Sequence, residues 1–388
     1  MKAVLIDWKS FGNEDFKETM ARMGHSVISY FHENYQSRVS DVFFKDFTEF
    51  LKKNPCDFVF SFNYFPSVSR VCKELSVPYV AWVYDMPYQA LYSYTLINDC
   101  NYVFIFDSET YSELKNGGIN TVYYMPLAVN ANRLDRMTVT HDIKSRLAGD
   151  ISFVGSMYDE KHTLYTDIDK ADAYTRGYIE GLIRAQSKVY GCSFIRDCLN
   201  SKILGELSRV HPINPTPDGI ESPEYVYSSY FIERKLTSIE RKKLLTDLSE
   251  KFSLKLYTHN PVPYMPKALY MGPVDYYDVM PYIFKCSKIN LNLTLRSIHA
   301  GIPLRAMDIM GAGGFLLTNY QPDFLDFYES DRDYVYYEDE ADLMDKCRFY
   351  LEHDAARLEI AQNGYLKTKA EHNYETALGK IFDIAGLK

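Results

Sequence analysis

The sequence from Ile289 to Thr318 reads INLNLTLRSIHAGIPLRAMDIMGAGGFLLT. Its two apolar ends are strand-like, and between them lie the loop Thr294–Pro303 and a helix that starts near Leu304. Gly311–Gly314 stands where this helix ends, which favours helix termination and tight packing. A dinucleotide-binding loop would instead follow a strand and open a helix. The order strand, helix, strand predicts part of a parallel sheet with helices on its faces.

The same alternation extends outward over most of the chain. Short continuous apolar runs separated by segments of helical length predict strands that are buried on both faces, and hence a doubly wound α/β architecture. Before residue 131 the predicted strands are Ala3–Asp7, Val27–Phe31, Phe58–Phe62, Tyr79–Tyr84, Tyr102–Phe106 and Val122–Met125. After it they are Ile151–Val154, Leu254–Thr258, Ile289–Leu293 and Phe315–Thr318. We therefore expect two Rossmann-like halves.

Changes in polarity suggest the boundaries between these halves. Residues 1–130 form the first half, and residues 131–149 are interpreted as a linker because they are polar and lack a strand signal. Residues 150–365 form the second half, which is interrupted by a helical insertion at 162–235. We expect the helical end, 366–388, to pack back toward the N-terminal domain.

Composition argues against several classes of protein. The 388 residues include 43 Lys and Arg against 52 Asp and Glu, a net charge of −9, whereas nucleic acids and anionic membranes favour a basic surface. The first apolar run ends at Asp7, short of a signal peptide, and no stretch approaches the roughly 20 apolar residues of a membrane span. Seven scattered cysteines without a C-x-x-C pair are typical of reduced thiols. The sequence predicts a cytoplasmic protein with no transmembrane segment and no nucleic-acid partner, and it leaves the oligomeric state open.

One candidate anion site lies in the quoted stretch. The loop Thr294–Pro303 contains His299 and Gly301 and leads into the predicted helix. Unpaired N–H groups at the start of that helix, together with Arg305 in its first turn, could bind an anion. The alternative is a solvated arginine.

A second candidate loop follows the strand Ile151–Val154. Gly155 would allow the backbone to approach a phosphate, and Lys161, six residues further on, could contact a diphosphate. The alternative is a solvated lysine at the end of a loop.

The first half also offers polar residues after its strands, where ligands of parallel sheets bind. Asp85 follows the strand Tyr79–Tyr84, and a carboxylate there could act as a general base on a hydroxyl. The alternative is a turn aspartate ahead of Pro87. The other candidate ligand contacts at this edge are Gly12, Asn63, Tyr64 and Asp107.

Metal and nucleophile motifs are poorly supported. Asp167-Ile-Asp169 and Asp331-Arg-Asp333 have the D-x-D form, but neither follows a convincing strand, so we interpret both as solvated acids. The sequence has no H-E-x-x-H, G-x-S-x-G or Walker motif. No metal or cofactor is expected.

Over nearly its whole length, the chain resembles the GT-B glycosyltransferases, specifically the spore-maturation (CgeB-type) glycosyltransferase-like family. The resemblance is carried by MARMGHSV at 20–27, VPYVAWVYDMP at 77–87, YMPLAV at 124–129, and Asn292, Thr294, Gly301, Arg305, Asp308 and the run GGFLLT at 313–318. It implies two Rossmann-like domains facing across a cleft, with a helical insertion in the C-terminal one. That domain would bind a nucleotide diphosphate sugar, and the N-terminal domain would bind the acceptor.

The resemblance also implies roles for individual residues. Gly155 and Lys161 would lie near the diphosphate, Arg305 would be a second phosphate contact, and Asp308 would hold the ribose hydroxyls. The remaining donor-binding positions are Ser156, Asn292, Thr294, His299 and Gly301, and the acceptor positions are Gly12, Asn63, Tyr64 and Asp107.

The sequence departs from the family pattern in three places. Asp308 replaces the usual glutamate, and Ser156 stands where retaining relatives often have arginine. The E-x7-E pair of the retaining families is incomplete because Ala300 precedes Asp308 by eight residues. Inverting and retaining chemistry therefore both stay open.

The function implied is metal-independent transfer of a sugar, expected to come from a UDP-sugar, to a hydroxyl of a glycan, lipid-linked or protein acceptor. Fixed cations would take the place of a metal, with Asp85 as the catalytic base if the reaction inverts. The alternatives are a GT-B-fold sugar-nucleotide 2-epimerase, which needs no acceptor, and a non-catalytic glycan-binding relative.

Overall fold

The computed structural model describes residues 1–159, 164–214 and 216–387. These residues form two compact units, each built around its own sheet. Unit 1 comprises Met1–Asn130, Asn214–Ser222 and Glu371–Lys388, and unit 2 comprises Ala131–Ile213 and Pro223–Ala370.

Twelve strands lie within the described residues, in two sheets of six. The strands of unit 1 are β1 Lys2–Ile6, β2 Ser26–Tyr30, β3 Phe58–Phe62, β4 Tyr79–Val83, β5 Asn101–Ile105 and β6 Val122–Tyr124. The strands of unit 2 are β7 Gly149–Val154, β8 Leu254–Tyr257, β9 Leu269–Tyr270, β10 Ser287–Asn292, β11 Leu316–Asn319 and β12 Val335–Tyr337.

Helices connect the strands of both sheets. The α-helices are α1 Asn13–Arg22, α2 Asp41–Lys53, α3 Pro66–Leu75, α4 Ser108–Asn116, α5 Ala131–Arg136, α6 His141–Leu147, α7 Ala173–Gln186, α8 Ser201–Val210, α9 Pro223–Val226, α10 Glu233–Lys251, α11 Met280–Cys286, α12 Leu304–Gly311, α13 Phe324–Phe327, α14 Glu340–Glu352, α15 Asp354–Glu371 and α16 Tyr374–Ile384. Short 3₁₀ turns lie at Gln89–Tyr92, Tyr94–Ile97, Leu164–Lys170 and Arg196–Cys198, and a π-helical turn at Tyr227–Ile232 precedes α10.

The sheet of unit 1 is parallel throughout, in the order β2-β1-β3-β4-β5-β6. Every residue of β3 and β4 is buried, which explains why these central strands are apolar runs without alternation. All six strands lie within one residue of the sequence expectation. The doubly wound prediction is confirmed here.

The sheet of unit 2 is also parallel, in the order β12-β11-β10-β7-β8-β9. The predicted strands correspond to β7, β8, β10 and β11, whereas β9 and β12 were not predicted. β9 is short and exposed, and β12 has three residues, so neither gives a buried apolar run that could be detected. Gly313 and Gly314 end α12 as expected, with their N–H groups donating to the carbonyls of Met310 and Ile309.

The chain passes between the units differently from the sequence expectation. Residues 131–149, interpreted as a linker, contain α5 and α6 and belong to unit 2. Asn214–Ser222, expected within the insertion of the second half, belongs to unit 1. Its Asp218 and Glu221 pair with Arg38, each at 2.9 Å, and this ion-pair network cannot be inferred from the local sequence.

The C-terminal segment Glu371–Lys388 also belongs to unit 1. In α16, Glu375 pairs with Arg22 of α1, and Phe382 packs 5.5 Å from Phe58, ring centre to ring centre. No helix in the described ranges combines the length and the apolar character that a membrane crossing requires.

Candidate functional site

The carboxyl ends of β7 and β10 lie side by side in unit 2, because these strands are paired neighbours. After β7, the amide of Asn260 organises the turn: its Oδ1 accepts hydrogen bonds from the Met157 N–H at 2.8 Å and from Ser156 Oγ at 3.3 Å. A Cβ on Gly155 would lie 3.1 Å from the Phe153 ring, so glycine at this position allows that ring to pack close to the backbone.

After β10, two of the predicted donor residues form an internal framework. Asn292 Nδ2 donates to Thr294 Oγ1 at 3.0 Å and to Thr318 Oγ1 at 2.9 Å, and the Thr294 N–H donates to Asn319 Oδ1 at 2.8 Å. Asn292 and Thr294 are both buried. They hold the ends of β10 and β11 together and so fix the start of the following loop.

The loop ends at α12, whose first turns carry Arg305 and Asp308. Arg305 Nη1 lies 3.5 Å from Asp308 Oδ2, and the hydroxyl of Tyr276 donates to Asp308 Oδ1 at 2.9 Å. The guanidinium also lies over the Phe284 ring and contacts the sulfur of Met280. The Arg305 side chain is 26% exposed, so its charge remains accessible at the start of the helix.

Helix α10 holds the loop between β10 and α12 from one side. Arg296 forms a two-pronged ion pair with Glu240, at 2.7 and 2.8 Å, and its backbone N–H donates to Thr237 Oγ1 at 2.9 Å. The Arg296 guanidinium also stacks on Tyr190, 3.9 Å from the ring centre. Desolvation opposes the charge of Arg296, but its hydrogen bonds to Glu240 prevail and raise its pKa.

Two further side chains of α10 reach the same region. Glu233, only 1% exposed, lies 3.1 Å from His299 Nε2 and accepts a hydrogen bond from Ser193 Oγ. Arg241 donates to the carbonyl oxygens of Ser156, at 2.5 Å, and of Leu293. The loops after β7 and β10 are therefore both tied to one helix.

Glu233, Glu240, Arg241 and Arg296 were missed by the sequence interpretation. Polar side chains on a helix are normally taken as its solvated face. A signal was nevertheless present, because Glu233, Thr237, Glu240 and Arg241 stand at i, i+4, i+7 and i+8, the spacing of one helix face.

Other predicted residues lie elsewhere or cannot be placed. Lys161 lies outside the described residues. The Gly301 carbonyl accepts a hydrogen bond from Gln321 at 3.2 Å, which fixes the loop before α12. Asp167 pairs with Lys170 and His211, and Asp333 Oδ2 accepts the Glu329 N–H. No group of three or more His, Cys, Asp or Glu side chains arranged to hold a metal ion occurs among the described residues.

At the carboxyl edge of the unit 1 sheet, Asn63 shapes the turn around Asp85. Asn63 is buried and adopts a left-handed backbone conformation, with φ of 62°. Its Oδ1 accepts the N–H groups of Tyr84 and Asp85, at 2.8 and 3.1 Å, while its Nδ2 donates to Asp85 Oδ2 at 2.7 Å. One amide thus orients both the backbone and the carboxylate of Asp85.

The Asp85 carboxylate remains exposed to solvent. Loss of part of its hydration raises its pKa, against the opposing effect of the Asn63 hydrogen bond.

The other predicted contacts of this edge are more enclosed. Tyr64 is fully buried, and its hydroxyl lies 2.8 Å from Thr95 Oγ1. Asp107 is buried and caps α4 by accepting the Thr110 N–H at 2.8 Å. A Cβ on Gly12 would lie 2.4 Å from the Phe62 ring, so only glycine fits there. Their role in acceptor binding stays a prediction.

Comparison with known proteins places this geometry in context. Residues 239–383 match the family described as Glycosyl transferase-like, and the match includes most of α10, the loop after β10 and α12. No curated protein sequence matches the chain significantly.

Solved structures match over both units. A glycosyltransferase from Rickettsia africae aligns over 99% of this chain and 97% of its own, with 12% identity and a TM-score of 0.54. Sucrose-phosphate synthase from Thermosynechococcus elongatus aligns over 99% and 98%, with 11% identity and a TM-score of 0.55. Anabaena HepE in complex with UDP-glucose aligns over 100% and 99%, with 9% identity and a TM-score of 0.56.

The chain has the GT-B fold. Most of the glycosyl transferase-like match lies in unit 2 and its last residues lie in unit 1. The loops tied to α10 lie at the carboxyl edge of the unit 2 sheet. That edge is where ligands of parallel α/β sheets bind.

The buried pair of Arg296 and Glu240 yields a stability prediction. Arg296→Met leaves the Glu240 carboxylate buried without its partner, so we expect the free energy of unfolding to fall by about 3–5 kcal/mol. The double variant Glu240→Gln/Arg296→Met removes both charges and should lose much less. Urea unfolding followed by circular dichroism measures both, and equal stability of the single and double variants would contradict the prediction.

Proposed function

We propose that this GT-B chain is a glycosyltransferase that moves a sugar from a nucleotide diphosphate sugar to a hydroxyl of an acceptor. The observation that carries the proposal is the glycosyl transferase-like match over residues 239–383, which includes the loop after β10 and α12 at the carboxyl edge of unit 2. The resemblance to the spore-maturation branch of these enzymes is part of the proposal.

We infer that unit 2 binds the donor and that the donor is a UDP-sugar. Anabaena HepE, which shares the fold, has been solved with UDP-glucose. In this chain, Arg305 and the N–H groups at the start of α12 supply positive charge for a diphosphate. Asp308, already accepting a hydrogen bond from Tyr276, supplies carboxylate oxygens for ribose hydroxyls.

The chemistry breaks the bond between the anomeric carbon and the diphosphate oxygen and joins that carbon to the acceptor oxygen. Negative charge develops on the departing diphosphate, and preorganised donors around it lower the barrier. Arg305 and the start of α12 have this role in our proposal, and Lys161 joins them from the sequence resemblance. In an inverting reaction, Asp85 takes the proton that the acceptor hydroxyl loses.

The acceptor in this proposal is a glycan, a lipid-linked acceptor or a protein, bound through unit 1. A sugar-nucleotide 2-epimerase with the same fold would convert the donor without an acceptor. Product analysis with donor alone separates the two, because an epimerised nucleotide sugar would appear only in the second case.

Donor binding provides the first test. We expect UDP to bind the chain more tightly than GDP or ADP, and saturation at 100 times the Kd to add about 2.7 kcal/mol to the stability of the folded state. Isothermal titration with the three nucleotides, supported by thermal shift, measures this. Failure of all three to bind would remove the transferase proposal.

The next prediction concerns whether sugar transfer requires a metal ion. Because fixed cations take the place of a metal ion at the diphosphate, we expect EDTA to leave sugar transfer unchanged. Turnover is measured with and without EDTA and after adding Mn²⁺. Loss of turnover in EDTA and its return with Mn²⁺ would show that the charge-stabilising role given to Arg305 is wrong.

A further prediction concerns the role of Asp85 as the catalytic base. Asp85→Asn keeps the shape and removes the basicity, so kcat should fall by about 10²–10⁴-fold while UDP affinity and melting temperature stay nearly unchanged. In the unaltered chain, kcat should fall with decreasing pH through the raised pKa of Asp85, above the ordinary value of 3.8, because protonation removes the base.

Asp99→Asn is the matched control for this experiment, since Asp99 is an exposed aspartate that precedes the neighbouring strand β5, at the edge of the sheet opposite to Asp85. The control should keep its kcat. An Asp85→Asn variant active within about threefold of the unaltered chain would exclude the roughly hundredfold base role and leave Asp107 or His25 as candidates.

A further inference from the structure

Arg241 is a buried arginine that forms no close ion pair with a described residue. The residue is 7% exposed, and its guanidinium lies over the rings of Tyr158 and Phe153, at 4.8 and 5.3 Å. Nη1 and Nη2 donate to the carbonyls of Ser156 and Leu293, and Nε is buried without a hydrogen-bond partner. Among the described residues, no carboxylate lies within 4.0 Å of this guanidinium.

Arg296, on the loop after β10, is a second buried arginine in the same region, and its charge is paired. Its guanidinium is equally buried but is matched by the Glu240 carboxylate at 2.7 Å. Glu240 is the sequence neighbour of Arg241, yet it pairs with Arg296. Glu240 therefore pairs directly with Arg296 and attracts the Arg241 guanidinium without forming an ion pair with it.

Burying a charge without an opposite charge is unfavourable. Burial lowers the pKa of Arg241 and the positive charge of Arg305 lowers it further, while the attraction of Glu240 opposes them; the guanidinium stays protonated, as guanidinium groups do in proteins. Two like charges thus approach one another at the carboxyl edge of β7 and β10. Such an arrangement is stabilised when an anion binds there.

We propose that Arg241 is a positioning residue for the donor diphosphate: its buried charge, which has no close ion-pair partner among the described residues, and its two carbonyl contacts prepare the loops after β7 and β10 for a bound dianion. This inference rests on the proposed function and assigns part of its electrostatics to a residue outside the sequence motifs. It differs from the role given to Arg305, whose partly exposed side chain can touch the phosphates directly. Arg241 is buried and acts by preparing the two loops, without touching the phosphates itself.

The test compares ligands that differ only in the diphosphate. Arg241→Gln and Arg241→Met remove the charge, and Arg241→Lys keeps it while losing the two-loop contact. For the neutral variants, we expect the Kd of UDP to rise by about tenfold, the scale of one interaction with a charged group. The Kd of uridine, measured by competition, should change much less. Arg241→Lys should keep the ratio of the two constants close to that of the unaltered chain.

Lys243→Gln is the matched control. It removes one positive charge from the exposed face of the same helix, where Lys243 pairs with Asp247 and does not contact the loops, so the ratio of UDP to uridine affinity should stay constant. Using both Gln and Met at position 241 keeps the test valid if one variant fails to fold, since the glutamine amide can still donate to a carbonyl.

The outcomes are distinct. Binding of UDP by the unaltered chain, with neutral variants that weaken UDP and uridine equally, overturns the role of Arg241 and leaves the transferase proposal standing. Absence of UDP binding by the unaltered chain overturns both. A selective loss for UDP in the neutral variants, absent from the control and from Arg241→Lys, supports the inference.

Discussion

The polar face of α10 is the constraint on which the candidate donor site depends. Glu233, Thr237, Glu240 and Arg241 reach the segment that runs from Leu293 to His299, and Arg241 also reaches the loop after β7. Buried polar groups of this kind specify one arrangement, because any displacement leaves several donors and acceptors unsatisfied. The loops at this edge are therefore held by side-chain hydrogen bonds and ion pairs as well as by the sheet.

In unit 1, the side-chain amide of Asn63 orders the turn around Asp85. Asn63 adopts a left-handed conformation, which asparagine tolerates better than most residues, and its amide replaces backbone partners for Tyr84 and Asp85. A single side chain thus sets the direction of the Asp85 carboxylate. In unit 2 ion pairs and the amides of Asn260 and Asn292 hold the loops. In unit 1 the neutral amide of Asn63 orders the turn and leaves Asp85 as its exposed charge.

The two sheets were largely predictable from sequence because their central strands are buried on both faces and read as apolar runs, as in Phe58–Phe62 and Tyr79–Val83. The start of α12 after Pro303 was predictable for a similar local reason. The partners of α10 were not, since the pairing of Glu240 with Arg296 joins residues distant in sequence whose charges suggest solvent exposure. The short strands β9 and β12 and the attachment of Asp218 to Arg38 depend on tertiary contacts that leave no periodic signal.

The membership of Glu371–Lys388 in unit 1 has a consequence for biosynthesis. The N-terminal sheet is translated before unit 2, but α16, whose Phe382 packs near Phe58 and whose Tyr374 hydroxyl lies 2.6 Å from that of Tyr84, is translated after it. The apolar surface around Phe58 that α16 covers therefore remains open while all of unit 2 is made, and it is available to chaperones during synthesis. A nascent chain stalled before residue 371 would lack the element that completes its first unit.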